Sequence, residues 1–207
     1  MFTGIVKACV LVTQIEKEEG LHHVAVQFSD EYARGLQKGA SVSISGACLT
    51  VTGVHDGAVS FDIMGETIAK TTLGILHEGD RVNIERSATL ADEIGGHMLS
   101  GHITGTAEII TVEHPVNNHV VAFRVPHAWM KYILPKGFIA LDGASLTIVD
   151  IDAEKNTFTV WLIPETLRIT TFGFKTIGDR VNVEIDSRTQ AIVDTVEKIY
   201  AERRSTQ

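Results

Sequence analysis

Short runs in which apolar and polar residues alternate dominate this chain. Examples are SVSIS, CLTVTGV, AVSFDIM and DRVNIE, and Gly, Asn and Asp interrupt them at intervals of about 8 to 12 residues. A period of two is typical of β-strands that bury one face. The pattern therefore predicts an all-β protein of short antiparallel strands. A closed barrel is favoured, because closure removes the unpaired edges of a small sheet.

The same pattern occurs twice along the chain. GDRVNIE at residues 79–85 recurs as GDRVNVE at 178–184, and GACLTV at 46–51 recurs as GASLTI at 143–148. FTGIV at the amino terminus lies over LSGHI in the second half, and Lys38-Gly39 lies over Lys136-Gly137. We therefore expect two tandem copies of one fold, a first barrel in residues 1–97 and a second in 98–187.

Three segments depart from the strand pattern. Residues 30–37 and 127–134 occupy equivalent places in the two copies, and each is predicted to be a short helix. After Asp186 an apolar stripe follows at helical spacing: Ala191, Ile192, Thr195, Val196, Ile199 and Tyr200. A helix is therefore expected in residues 188–207. It either packs on its own chain or meets identical helices of symmetric partners.

Charge, cysteine count and hydropathy exclude several classes of protein. The chain has 207 residues and a net charge of −8, so it lacks the positive field that attracts nucleic acid or an anionic membrane. No apolar stretch approaches the roughly 18 to 20 residues that span a bilayer. The amino terminus does not resemble a signal peptide, and the two cysteines form no CxxC motif. We expect a cytoplasmic protein without nucleic-acid or membrane partners.

Small and hydroxylated residues recur at equivalent positions and are candidates for two copies of one pocket. They are Gly4 and Gly101, Thr50 and Thr147, Glu66 and Glu165, Thr67 and Thr166. Each one taken alone is also explained by turns and strand ends. As a set they offer hydroxyl, carboxylate and backbone groups that suit a flat heterocycle carrying a polyol.

The copies differ at a few chemically informative positions. Cys48 lies opposite Ser145, His102 opposite Ile5, and Trp161 opposite Asp62. Cysteine and serine are potential nucleophiles, and histidine titrates near neutral pH. Each is also an ordinary structural residue, and the run EIGGHMLSGH could be only a linker. No ligand spacing predicts a metal, and no glycine motif predicts a nucleotide cofactor.

Several motifs together resemble the riboflavin synthase α-chain family over nearly the whole chain: MFTGIV, GACLTV, DEIGGHMLSGH, KGFIALDGASLT, LIPETL and TQAIVDTVE. The resemblance implies two lumazine-binding barrels of six antiparallel strands each, followed by a C-terminal helix. It also implies a homotrimer held by these helices, with the active site between the first barrel of one subunit and the second barrel of a neighbour. The resemblance also suggests lumazine synthase as a partner protein.

The implied reaction is a dismutation of two 6,7-dimethyl-8-ribityllumazine molecules without a cofactor. One molecule gives a four-carbon unit to the other, which yields riboflavin and 5-amino-6-(ribitylamino)uracil. The resemblance assigns proton transfer and nucleophile positioning to Cys48, His102, Ser145, Thr147 and Asp186, with Asp142 as a further polar candidate. It assigns substrate binding to Gly4, Ile5, Val6, Cys48, Leu49, Thr50, Asp62, Ile63, Met64, Gly65, Glu66, Thr67, Gly101, His102, Ile103, Lys136, Ser145, Leu146, Thr147, Ile163, Pro164, Glu165, Thr166, Leu167 and Arg168.

Two departures from the family pattern concern the first copy. Ala47 stands where many relatives have a second cysteine, and Gly65 replaces a larger residue, which puts substrate affinity in that pocket in doubt. The alternative function is a non-catalytic lumazine or flavin carrier with the same fold. The joint presence of Cys48, His102, Ser145 and Thr147 favours the enzyme.

Overall fold

The protein contains two closed six-stranded antiparallel barrels, as the sequence predicts. The computed structural model describes residues 1–116 and 118–205. The strands of the first barrel are β1 (Ala8–Glu18), β2 (Leu21–Gln27), β3 (Ser41–Ile44), β4 (Ala47–His55), β5 (Ala58–Met64) and β6 (Arg81–Arg86). Those of the second are β7 (Gly105–Glu113), β8 (His119–Arg124), β9 (Phe138–Leu141), β10 (Ala144–Asp152), β11 (Thr157–Leu162) and β12 (Arg180–Ile185).

The two barrels share one topology. The order around the first is β1-β2-β5-β4-β3-β6, and the second has the equivalent order β7-β8-β11-β10-β9-β12. The register shift that follows Val12 in β1 recurs after Ile109 in β7. A second shift follows Val51 in β4 and Ile148 in β10. Because even these local irregularities repeat, the two halves are copies of one fold.

Apolar side chains fill the interior of each barrel. Phe61 is buried in the first core, and Phe123 and Phe158 stack in the second with ring centroids 5.5 Å apart. Within residues 1–116 and 118–205, each core is separate and contains eighteen buried apolar residues. A ligand therefore has no room inside either barrel, and any binding site lies on an outer face or at an end.

The short helices differ from their predicted extent. Helix α1 covers only Asp30–Ala33, because Gly35 adopts a positive φ of 69° and turns the chain. Residues His127–Tyr132 form a 3-10 helix rather than an α-helix, and Pro135 disfavours helical backbone in the residue before it. Two short helices were not predicted, α2 (Gly65–Lys70) and α3 (Pro164–Ile169). They occupy equivalent places, and a 3-10 turn follows each one.

The C-terminal helix α4 (Ser187–Ser205) leaves its apolar stripe uncovered. Ile192 is 66% exposed and Tyr200 is 61% exposed. Hydrogen bonds connect its other side to its own chain: the Lys131 ammonium donates to Asp194 at 3.0 Å and also to Glu197, and the Tyr132 hydroxyl donates to Asp194 at 2.6 Å. The charged side of α4 thus rests on the second barrel. Predicted residues 206–207 lie outside the described residues.

A reciprocal pair of asparagines joins the barrels. Asn83 in β6 donates to the carbonyl of Asp142 at 2.9 Å and accepts from the Thr171 backbone N–H at 2.8 Å. Asn182 in β12 makes the equivalent bonds in the opposite direction, to the Ser45 carbonyl at 2.8 Å and from the Thr72 N–H at 2.7 Å. Both asparagines are almost completely buried. We call this pair the asparagine clamp. In residues 1–116 and 118–205, no helix is long and apolar enough to cross a membrane.

Candidate functional site

Two extended segments cross between the barrels, and each helps to form a pocket. We call residues 2–6 the first arm and residues 99–103 the second arm. The Phe2 N–H donates to the Leu99 carbonyl at 2.8 Å, and the Leu99 N–H donates to the Phe2 carbonyl at 3.0 Å. The arms therefore run antiparallel at their crossing point.

A buried glutamate of its own barrel anchors each arm. Glu85 accepts from the Thr3 N–H at 2.6 Å, the Thr3 hydroxyl at 2.7 Å and the Gly4 N–H at 3.0 Å. Glu184 accepts from the equivalent groups of Ser100 and Gly101 at 2.7, 2.7 and 3.0 Å. Burial raises the pKa of Glu85, and the bonds from Thr3 and Gly4 oppose that increase. Each carboxylate fixes the start of its arm.

Beyond this anchor, each arm lies on the other barrel. The Cys48 N–H donates to the Gly101 carbonyl at 2.9 Å, and the Ser145 N–H donates to the Gly4 carbonyl at 2.8 Å. Val6 of the first arm is buried in the core of the second barrel, and Ile103 packs against the core of the first. The arms are thus exchanged, so each pocket combines residues of both halves.

Glycine is required where an arm touches the opposite barrel. Gly4 and Gly101 have φ values of +75° and +80°, which favour glycine. A Cβ at Gly4 would lie 2.5 Å from the Ser145 Cβ, and one at Gly101 would lie 2.5 Å from the Cys48 Cβ. The repeated glycines therefore allow the close approach that brings the arms onto the barrels.

The first pocket places Cys48 beside the second arm. It has a volume of about 400 Å³, within the range of small-molecule sites. Its lining includes Cys48, Glu66, Thr67, Lys70, Gly101, His102 and Ile103. Along β4 the side chain of Leu49 enters the barrel core, so Cys48 and Thr50 point to the outer face. His102 is exposed.

At the equivalent place on the second barrel, Ser145 lies beside the first arm. We call this place the second pocket because of its correspondence to the first. In β10, Leu146 packs against the core, and Ser145 and Thr147 point to the outer face. Ile5 occupies the position that His102 holds in the other pocket. An imidazole is nevertheless present, because His97 Nδ1 lies 2.6 Å from Ser145 Oγ. The two histidines of the EIGGHMLSGH run therefore serve different pockets.

Helices α2 and α3 border the pockets with paired charges. The Lys70 ammonium donates to Glu66 at 2.8 Å, and the Arg168 guanidinium donates to Glu165 at 2.8 Å. These hydrogen bonds lower the pKa of both exposed carboxyl groups, which are therefore ionised at neutral pH and can accept hydrogen bonds. The carbonyls of Thr67 and Thr166 accept hydrogen bonds from the hydroxyls of Thr71 and Thr170, the threonines that end the two helices.

Several other predicted binding residues lie away from the Cys48 and Ser145 side chains of the same chain. Asp62 lies on the outer face of β5, 2.7 Å from His23 Nδ1, while Ile63 enters the core. Met64 and its counterpart Ile163 are 62% and 63% exposed. Gly65 and Pro164 begin α2 and α3, and Leu167 packs against the second core.

Lys136 corresponds to Gly39 and not to Lys38. Both residues have a positive φ, and their N–H groups donate to Ile148 and Val51, which are equivalent residues. The alignment of Lys38-Gly39 with Lys136-Gly137 was therefore wrong by one residue. The Lys136 side chain is exposed at the turn before β9.

The two predicted aspartates have structural partners. Asp186 accepts from the Thr189 N–H at 2.9 Å and its hydroxyl at 2.7 Å, at the start of α4. Burial raises its pKa, but these bonds lower it overall. Asp142 lies in the asparagine clamp, where its carboxylate accepts from the Asn182 N–H at 2.7 Å and pairs with Lys175. Burial raises the pKa of Asp142. Asp142 is therefore part of the contact between the barrels.

Several residues that hold the arms and the barrels together were not predicted from the sequence. The clamp asparagines and anchoring glutamates are the last polar residues of GDRVNIE and GDRVNVE, and their identity in both copies was an available signal. No role was predicted for His97, which lies in the EIGGHMLSGH run. Within the part of the chain that the structure describes, no group of three or more His, Cys, Asp or Glu residues could hold a metal ion. The pockets offer thiol, hydroxyl, imidazole and carboxylate groups for proton transfer.

Comparison with known proteins agrees with this duplicated architecture. The family model described as "Lumazine binding domain" matches residues 3–87 and again 100–186. Riboflavin synthase of Escherichia coli (strain K12) is 48% identical over 99% of this chain and 96% of its own length. Riboflavin synthase of Buchnera aphidicola subsp. Schizaphis graminum is 49% identical over 100% of this chain and 99% of its own.

Solved structures of LumP have the same fold. LumP complexed with riboflavin gives a TM-score of 0.81 at 28% identity, covering 89% of this chain and 99% of LumP. LumP complexed with 6,7-dimethyl-8-(1'-D-ribityl) lumazine gives 0.80 at 26% identity, covering 89% and 98%. With two matched lumazine-binding domains and near-complete coverage by curated relatives, this chain belongs to the riboflavin synthase family.

Proposed function

We propose that this protein converts two molecules of 6,7-dimethyl-8-ribityllumazine into riboflavin and 5-amino-6-(ribitylamino)uracil. One lumazine transfers a four-carbon unit to the other, so the enzyme is a transferase. The observation that carries this proposal is a pair of equivalent sites with different reactive groups, Cys48 beside the second arm and Ser145 beside the first arm. Two copies of one pocket suit two copies of one substrate, and the exchange of cysteine for serine gives the two molecules different surroundings.

Binding groups repeat between the pockets, as identical ligands require. Glu66 and Glu165 are ionised acceptors for the hydroxyls of a ribityl chain. Thr50 and Thr147 lie at equivalent positions on the outer faces of β4 and β10. We propose that the remaining predicted binding residues on the arms, α2 and α3 complete the two sites.

Reactive groups need to supply little beyond placement and proton transfer. The C7 methyl group of the lumazine is acidic, because its carbanion is delocalised into the ring. A base of moderate strength can therefore start carbon–carbon bond formation. In our proposal His102 and Cys48 serve this purpose in the first pocket, while Ser145 and Thr147 act in the second. Holding both rings together contributes on the order of 7 to 11 kcal/mol to catalysis.

The separation of the pockets supports an active site between subunits. The arms run antiparallel at the Phe2–Leu99 bridge, so Gly4 and Gly101 lie two residues beyond it in opposite directions. At about 3.4 Å per residue, the four residues between them span about 14 Å. Two stacked rings are much closer than this. We therefore propose that the first pocket of one chain faces the second pocket of another.

A homotrimer that packs through α4 provides this arrangement. The charged side of α4 already contacts its own barrel, and the apolar stripe containing Ile192, Val196 and Ile199 is exposed. Copies of the same helix are a self-complementary cover for that stripe. The proposed units are residues 1–97, 98–187 and 188–207. Analytical ultracentrifugation of the full chain, compared with an Ile192→Glu, Val196→Glu variant, tests the trimer. A wild type that sediments as a monomer contradicts it.

We also propose that the protein acts in the cytoplasm, since Cys9 and Cys48 are both unpaired. Association with lumazine synthase is a prediction from family resemblance, and co-sedimentation of the two purified proteins tests it. An equimolar mixture that sediments as two independent species contradicts the association.

Incubation of the purified protein with 6,7-dimethyl-8-ribityllumazine tests the reaction. We expect one riboflavin for every two lumazines consumed, and two binding events per chain in a titration. Cys48→Ser should lower turnover. Cys9→Ser is the matched control, because Cys9 lies in β1 beside Arg81 and outside the first pocket. Tight binding without turnover supports a carrier and contradicts the enzyme.

A further inference from the structure

The described chain contains a histidine with an unusual environment that the reaction above does not use. His97 is 7% exposed, and its Nδ1 lies 2.6 Å from Ser145 Oγ. Its other ring nitrogen, Nε2, is buried without a hydrogen-bond partner. Its ring stacks on Phe138 with centroids 5.0 Å apart and an angle of 18° between the planes. Buried imidazoles usually satisfy both nitrogens, so this one has an uncompensated cost.

The backbone around His97 is shaped to bring the ring to Ser145. A Cβ on Gly96 would lie 2.3 Å from the Thr3 carbonyl oxygen and 2.9 Å from Ser145 Oγ. Only glycine fits at this position. On the other side of Ser145, the carbonyl of Gly4 in the first arm accepts from the Ser145 N–H at 2.8 Å. The first arm and His97 therefore hold the backbone and the side chain of Ser145 from two directions.

The state of the imidazole follows from its surroundings. Burial lowers the pKa of His97, although the Asp186 carboxylate opposes this and Arg188 adds to it. The ring is therefore neutral at neutral pH, with one N–H. A proton on Nδ1 leaves only an acceptor unpaired at Nε2, which costs less than a buried unpaired N–H. In that tautomer Nδ1–H donates to Ser145 Oγ, and the Ser145 proton is free to point elsewhere.

We propose that His97 is a positioning residue of the second pocket: its Nδ1–H holds Ser145 Oγ so that the serine hydroxyl donates its proton toward the bound pteridine. This inference rests on the proposed function and deepens it. No covalent step is involved, and the imidazole keeps its proton. The first pocket works differently, because no described side chain hydrogen-bonds Cys48 Sγ and its histidine, His102, is exposed. The two lumazines thereby meet a fixed hydroxyl in one pocket and a free thiol in the other.

A double-mutant cycle tests the coupling between the two residues. His97→Phe preserves the ring and its stacking on Phe138 but removes the hydrogen bond. We expect it to lower kcat about tenfold with KM changed less than about threefold. Ser145→Ala should lower kcat at least as much, and the double variant should be no slower than Ser145→Ala alone. His97→Asn, which keeps a donor near the position of Nδ1, should recover part of the loss. His55→Asn, at an exposed site, is the matched control.

A purely structural role for His97 gives a different result. The proposal is overturned if His97→Phe keeps wild-type kcat, or if the effects of His97→Phe and Ser145→Ala multiply in the double variant. If the His97 variants do not fold, imidazole ¹⁵N NMR of folded wild type and Ser145→Ala decides. A shift of the His97 Nδ1 signal on loss of the serine hydroxyl supports the bond, and an unchanged signal refutes it. A wild type without turnover contradicts the proposed function instead, and the NMR comparison does not depend on turnover.

Discussion

Replacing Asn182 with alanine should destabilise the protein by breaking half of the asparagine clamp. The Asn182 side chain donates to the buried Ser45 carbonyl at 2.8 Å and accepts from the Thr72 N–H at 2.7 Å. A buried polar group left without a partner costs about 1 to 3 kcal/mol. Because Thr72 is only partly buried, its N–H can recover part of this cost from water. We expect a total loss of about 2 to 4 kcal/mol in the free energy of unfolding.

Urea unfolding at fixed protein concentration measures this loss, and in a chain of this length it corresponds to a decrease of about 4 to 16 °C in Tm. Both tryptophans, Trp129 and Trp161, lie in the second half, so fluorescence reports that barrel while circular dichroism reports both. In the variant the two transitions should separate, because the clamp joins the barrels. Asn118→Ala removes one exposed bond to a backbone carbonyl and is the matched control. A loss as small as that of the control refutes the reasoning.

Three further outcomes follow from the arms and the buried imidazole. Gly101→Ala places a Cβ 2.5 Å from the Cys48 Cβ at a φ of +80°, so we expect turnover to fall more than tenfold in a steady-state assay; wild-type kinetics would show that the arm can move aside. Glu184→Gln turns an amide donor toward the N–H groups of the second arm, which weakens its anchor and shifts His102. We expect kcat to fall about tenfold and the free energy of unfolding to decrease by about 1 to 3 kcal/mol. Equal kcat would contradict this anchoring role. Because the folded state lowers the pKa of His97 below 6.5, the unfolded chain binds its proton first, and stability should decrease as pH falls below about 6.5. His97→Asn should flatten this pH dependence in urea titrations, and an unchanged slope would refute it.

Local patterns in the sequence were enough to predict the barrels. Alternation along each strand reflects one buried and one solvent-facing side, a property of the strand itself. The repeated GDRVNIE and GACLTV segments then predicted that the second half copies the first. The C-terminal helix was likewise predicted from its own periodicity. The helix predicted for residues 30–37 was too long, because four helical residues give too little periodicity to define where a helix ends.

The sequence alone paired Cys48 with Ser145 and His102 with Ile5, but it could not show which of these residues share a pocket. That grouping depends on the exchanged arms, which place His102 beside Cys48 and Ile5 beside Ser145. These contacts join positions 54 and 140 residues apart, and contacts at such separations leave no periodic signal along the chain. His97 shows the consequence most clearly, since it lies five positions before His102 and yet the two histidines contact different barrels.

Sequence by itself thus determined the duplicated barrels, the reactive residue types and the family. Tertiary structure decided that the reactive side chains lie on the outer faces, that the arms exchange, and that Asp142 belongs to the contact between barrels. The physical reason is the range of the interactions involved. Strand alternation is set by neighbours along the chain, whereas the arms and the clamp are held by hydrogen bonds between groups of two different barrels that are distant in the sequence.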